Sequence, residues 1–120
     1  MNVLLVEDDE LVRSSVAEAL SDAGLGVSER ITAEDALSAM DECDCPSVLL
    51  TDINLGPGID GFALGSIARH KWPGVGIIYM TGQPWRLAGH DLGPHDRFLA
   101  KPFRANALFQ AIQDLTGPAA

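Results

Sequence analysis

Two rhythms of apolar residues alternate along this chain. Val3-Leu4-Leu5-Val6 is an unbroken β-branched and leucine run, the pattern of a strand buried on both faces. Val12, Val16, Leu20 and Ala23 then recur at helical spacing with Ser, Glu and Asp between them, and Gly24 supplies the stop. Leu25 to Glu29 reads as a second strand with one polar side, as an edge strand has. Thr32 can cap a helix carrying Ala33, Ala36, Leu37 and Met40, with Glu34 and Asp35 suited to its positive end, before Pro46 breaks the chain. Ser47 to Thr51 predicts a third strand ending at Asp52, and Asn54-Leu55-Gly56-Pro57-Gly58 a loop. Asp60 caps a third helix with Phe62, Leu64, Ile67 and Ala68 near its apolar side, which Trp72-Pro73-Gly74 ends. Val75 to Met80 predicts a fourth strand finishing at Thr81-Gly82, and Arg97 to Ala100 a short fifth. Between them, residues 83–95 carry Pro84, Gly89, Gly93 and Pro94 and leave room for about two helical turns. After Lys101-Pro102, Phe103 opens a last helix using Ala105, Leu108, Phe109, Ile112 and Leu115, closed by Thr116-Gly117-Pro118.

Strands that alternate with helices need right-handed crossovers, and these build a parallel sheet covered on both faces. The expected fold is therefore α/β, a doubly wound five-stranded parallel sheet with one degraded helical slot, the fourth. In such a sheet the ligand site lies beyond the carboxyl ends of the strands, where the winding reverses. That rule says where chemistry should be sought.

Composition narrows the picture further. The chain has 120 residues, 47% of them hydrophobic, which suits one domain spanning residues 1–120 with its own core. Internal repeats, linkers and an output domain after Ala120 are not expected. A net charge of −9 disfavours direct contact with nucleic acid or anionic lipid. No apolar run is long enough to span a bilayer, and the acidic residues after Val6 do not suit a signal peptide, so the cytoplasm is the expected location. Cys43 and Cys45, one residue apart, read as unpaired thiols. His70, His90 and His95 lack zinc spacing and read as surface residues, as does Arg13 on the first helix. Trp72 reads as packing at a helix end. Trp85 is either a packing plug or a partner contact.

The strand ends collect the chemistry. Glu7, Asp8 and Asp9 follow the first strand, Asp52 the third, Thr81 the fourth and Lys101 the fifth. If the first strand lies between the second and third, the acidic groups converge in one shallow pocket. Carboxylates so close repel each other unless a cation intervenes. Oxygen ligands without His or Cys suit a hard, partly hydrated ion, Mg²⁺ or Mn²⁺. Asp9 can alternatively cap the first helix. A carboxylate, a hard cation, a lysine and a hydroxyl together make a phosphoryl-binding site, with Asp52 as the natural nucleophile. Gly82 leaves space for the phosphoryl donor.

Val6-Glu7-Asp8-Asp9, Asp52-Ile53-Asn54-Leu55, Asp60-Gly61, Thr81-Gly82 and Lys101-Pro102-Phe103 resemble, in order and spacing, the CheY-like receiver domain of two-component response regulators. The likeness covers essentially the whole chain. It implies a flavodoxin-like strand order 2-1-3-4-5 and a phosphoacceptor at Asp52, assisted by Lys101 and Thr81. It implies Mg²⁺ (or Mn²⁺) held by Glu7, Asp8, Asp52 and the backbone carbonyl of Asn54, with Glu7 acting mainly through water. Phe98 falls where the family places a switch aromatic, its ring turning inward as Thr81 moves. The implied donor is a phosphohistidine on a sensor histidine kinase or histidine phosphotransfer protein, and the implied receiver of the signal is a downstream protein. Such a chain assists its own phosphorylation and dephosphorylation and is not a dedicated enzyme. Two departures stand out: a loop after Asp52 one residue longer than the commonest form, and a breaker-rich stretch from Gln83 to His95. The latter remodels the face through which the family commonly dimerises, so a monomer is expected. Two other functions compete. An aspartate-nucleophile phosphatase of the haloacid-dehalogenase kind would need an acid where Asn54 stands. A phosphorylation-independent protein-binding module on a receiver scaffold is the other.

Overall fold

The computed structural model describes residues 2–42, 45–87, 89 and 92–116. The predicted elements form in the predicted order: β1 (Asn2–Val6), α1 (Glu10–Asp22), β2 (Gly26–Arg30), α2 (Ala33–Glu42), β3 (Val48–Asp52), α3 (Gly61–Lys71), β4 (Gly76–Thr81), a 3₁₀ turn (Pro84–Leu87), β5 (Asp96–Ala100) and α4 (Ala105–Thr116). The five strands are all parallel, in the order β2-β1-β3-β4-β5. The chain is thus a doubly wound, flavodoxin-like sheet, with four α-helices among the described residues.

Local chemistry fixes the helix starts. Asp9 accepts the Val12 N–H at 3.1 Å, Thr32 accepts the Asp35 N–H at 3.0 Å, and Asp60 accepts the Ala63 N–H at 2.8 Å. At the end of α1, Gly24 takes φ +85°, a conformation open to a residue without Cβ, and the Leu25 N–H closes back on the Leu20 carbonyl at 3.0 Å. The last helix begins later than its apolar spacing suggests. Its first turn hangs from the Arg104 carbonyl, which accepts from Ala107 and Leu108, so Phe103 precedes it and packs on the core instead.

Alternation along the central strands sorts side chains into two cores. Leu4, Val6, Leu49, Ile77 and Tyr79 meet α2 and α3, while Val3, Leu5, Val48, Leu50, Ile78 and Met80 meet α1 and α4. Each fully buried leucine or isoleucine contributes about 1.5–3 kcal/mol of transfer free energy. Among the described residues, the fourth helical slot holds a four-residue 3₁₀ turn, in keeping with its prolines and glycines.

Arg69, on the last turn of α3, ties the amino ends of β4 and β5 together. Its guanidinium donates to the Pro73 and Val75 carbonyls and meets Asp96 at 2.6 Å. Truncation would orphan these acceptors, so Arg69→Ala should lose about 2 kcal/mol and lower Tm by several degrees in thermal unfolding.

Candidate functional site

The winding reverses between β1 and β3, and the carboxyl ends of those two strands carry the acidic residues. Asp52 is the last residue of β3, and Glu7 follows β1 directly. Carboxylate oxygens of Glu7, Asp8 and Asp52 lie within 4.8 Å of one another. Glu7 and Asp52 are buried, and Asp8 faces solvent. Asp9 is occupied as the cap of α1, which decides between its two expected roles.

Lys101 reaches into this group from the turn after β5. Its Nζ donates to Glu7 Oε2 at 2.6 Å and to Asp52 Oδ2 at 3.1 Å. The Asp9 N–H donates to Glu7 Oε1 at 3.2 Å, and the Asn54 N–H to Asp52 Oδ1 at 3.1 Å. Burial, with the charge of Asp52 added, pushes the Glu7 carboxyl up to about 7 against the opposing bond from Lys101. Burial also works against the Lys101 ammonium, but the Glu7 hydrogen bond and the Asp52 charge outweigh it and hold its pKa above the ordinary value. One ammonium leaves this cluster of carboxylates short of positive charge. The donor set is oxygen alone, with an exposed side at Asp8, which fits a hard divalent cation that keeps part of its water.

Thr81 is fully buried at the end of β4, its Oγ1 accepting the Gln83 N–H at 2.9 Å and its carbonyl accepting the Lys101 N–H at 2.8 Å. Asn54 Nδ2 donates to Gln83 Oε1 at 3.4 Å, linking the loop after β3 to the turn after β4. A Cβ on Gly82 would meet nothing within 4 Å, so the space beside this residue is open. Phe98 is half-buried and pairs in register with Tyr79 across β4 and β5.

Two expectations need correction. Arg13 is not a solvated charge: its side chain is 15% exposed, its Nη1 donates to the Glu7 carbonyl at 3.1 Å, and its Nε lies 3.6 Å from Glu29 Oε1. Trp85 is no packing plug, since it is 70% exposed. Trp72 packs against the core beside α2 and α3, and His70 and His95 lie at the surface, as read. Cys43 and His90 lie outside the described residues. Gly61 was also missed as a site residue, although it stands where α3 presses onto the backbone of Asp52 and Ile53.

Residues 3–113 match the response regulator receiver domain. The chain belongs to that family. DctD of Rhizobium meliloti (strain 1021), a C4-dicarboxylate transport transcriptional regulatory protein, is 33% identical over 115 residues, covering 93% of this chain and 24% of that protein. The receiver spans about a quarter to about half the length of such curated bacterial relatives. Among solved structures, a response regulator receiver protein from Sinorhizobium medicae WSM419 superposes with a TM-score of 0.89 at 24% identity, over 98% of this chain and 95% of the other. TrrA from Thermotoga maritima, solved with Mg²⁺ and BeF, superposes with a TM-score of 0.85 at 23% identity, over 95% of this chain and 97% of the other. No helix among the described residues is long and apolar enough to cross a membrane.

Proposed function

We propose that this receiver accepts a phosphoryl group from a phosphohistidine onto Asp52 and signals through a protein–protein surface. The observation that carries the reading is Lys101 Nζ bridging Glu7 and Asp52, whose carboxylates gather with that of Asp8 at the reversal of the winding. An Asp52 carboxylate oxygen attacks phosphorus, the P–N bond breaks, and its electron pair returns to the imidazole nitrogen. The product is an acyl phosphate, and attack of water on phosphorus restores the carboxylate and releases inorganic phosphate.

Each neighbouring group has a part. Lys101 holds Asp52 in place before transfer and neutralises a phosphoryl oxygen afterwards. Thr81 offers its hydroxyl to another oxygen once it leaves the Gln83 N–H, and Phe98, in register with Tyr79 two residues before Thr81, follows that movement. Glu7, Asp8, Asp52 and the Asn54 carbonyl would hold Mg²⁺ or Mn²⁺, with Glu7 acting mainly through water. The bound ion supplies positive charge against the transferring phosphoryl oxygens. Support comes from the oxygen-only donor set and from the Mg²⁺–BeF complex of TrrA.

The partner surface adjoins the pocket. A groove of about 400 Å³ lies between α1 and the turn after β5, lined by Leu11, Val12, Lys101, Pro102 and Phe103 among others. Leu11 is 81% exposed there. This groove suits the histidine-bearing helix of a sensor kinase or phosphotransfer protein, which would bring its imidazole over Asp52 in the cytoplasm.

The test is direct. The chain is incubated with Mg²⁺ and acetyl phosphate and followed by intact mass. One acid-stable, base-labile adduct is expected, absent without the metal and absent in Asp52→Asn. A folded wild-type chain that gains none overturns phosphoacceptance and leaves a binding module.

A further inference from the structure

We propose that Arg13 is a positioning residue for the acidic pocket: it fixes the peptide that joins Glu7 to Asp8, and thereby the reach of both carboxylates toward Asp52. The inference rests on reading that pocket as a Mg²⁺ site.

The argument begins with the charges. Of the 17 acidic residues, 14 fall in the first 60 positions, against two basic ones, Arg13 and Arg30. A cation on so acidic a stretch has many exposed carboxylates to pair with in water. Arg13 instead folds inward, its side chain 15% exposed, and spends a donor on a backbone carbonyl, that of Glu7, at 3.1 Å.

That carbonyl belongs to the peptide whose nitrogen is Asp8. The peptide is planar, so a bond that holds its oxygen fixes the plane and with it the direction in which Asp8 leaves the turn. Glu7 is pinned everywhere else. Its N–H donates to the Arg30 carbonyl at 3.1 Å, and its side-chain oxygens take the Asp9 N–H and Lys101. Arg13 supplies the remaining restraint, and Glu29 on the edge strand β2 holds the guanidinium from outside at 3.6 Å. The rigid planar fork presents separate nitrogens to the two partners, Nη1 to the Glu7 carbonyl and Nε toward Glu29.

The sign of the effect separates this role from two simpler ones. A bare positive charge near the pocket repels Mg²⁺, so on Coulombic grounds its removal should tighten binding. A purely structural arginine would lower stability and leave affinity alone. A positioning residue, when lost, weakens binding despite the favourable change in charge.

Mg²⁺ is titrated into the unphosphorylated full chain by calorimetry, for wild type, Arg13→Ala and Leu20→Val. Leu20 is fully buried about two turns further along α1 than Arg13, so its variant loosens the helix while leaving the bonds to Glu7 in place. Arg13→Ala should raise the Kd for Mg²⁺ about tenfold, the low end for groups that orient metal ligands, with Leu20→Val binding as wild type does. An Arg13→Ala affinity unchanged within about twofold or tighter, or an equal loss in Leu20→Val at matched Tm, overturns the proposal. A wild-type chain that takes up no Mg²⁺ overturns the metal reading itself, and this role with it.

Discussion

Gly61→Ala should damage both the fold and the pocket. Gly61 opens α3, and its N–H donates to the Ile53 carbonyl at 2.8 Å. A Cβ at this position would run into the Asp52 carbonyl oxygen and lie 2.8 Å from the Ile53 Cα. Both obstacles are backbone, so no side-chain rotation relieves them. Either α3 lifts from the sheet or the end of β3 moves, and Asp52 is the residue at that end. The cost should reach about 3 kcal/mol, the upper part of the overpacking range, less the small gain from the better helix former. Thermal unfolding of the variant beside Gly74→Ala checks this. Gly74 has an unstrained φ and open space around its missing Cβ, so alanine there should be neutral or slightly stabilising. Acetyl phosphate labelling of Gly61→Ala, kept well below its Tm, should be slowed as well. A wild-type Tm and labelling rate would show that the contact is not limiting.

The same residue illustrates what the sequence does and does not disclose. Strands and helices were legible because their patterns are local: an apolar run such as Val3 to Val6, capped helices at Asp9, Thr32 and Asp60, and a stop at Gly24. The pocket was legible because its residues sit at strand ends, where a parallel sheet gathers them. Strand order was not local information and came from the family likeness. Contacts that depend on how separate elements lean together stayed hidden. Gly61 looks like any glycine after a cap until α3 is laid against β3. Arg13 looks solvated because helical spacing does not reveal a carbonyl turned toward it from the strand end. A cation six residues after Glu7, in a stretch with one other, was the available signal. Trp85 allows a plug or a partner contact on sequence alone, and only its 70% exposure on the short turn rules out the plug.

Without divalent metal, the chain should be more stable at pH 5.5 than at pH 8, the reverse of what paired carboxylates usually give. Burial raises Glu7 from an ordinary 4.5 to about 7 in the folded chain. Between those values the folded state holds a proton that the unfolded state has released. Stability therefore falls as pH rises through this window and stays at the lower level above it. A shift of that size corresponds to on the order of 3 kcal/mol, most of it lost between pH 5.5 and 8. Lys101, whose pKa lies above its ordinary value, stays charged throughout and adds no slope there. Its bond to Glu7 opposes the rise, so Lys101→Ala should push Glu7 further up and steepen the fall. Removing one partner from a buried ion pair costs about 3–5 kcal/mol, and here the loss should concentrate at pH 8, where Glu7 is ionised beside Asp52. Saturating Mg²⁺ should flatten the wild-type profile by favouring the ionised carboxylates. Urea unfolding at both pH values, in chelator and in Mg²⁺, measures all four cases. A midpoint in chelator that is flat or rises with pH would mean that Glu7 does not carry the excess charge of the pocket, and that Lys101 alone neutralises it.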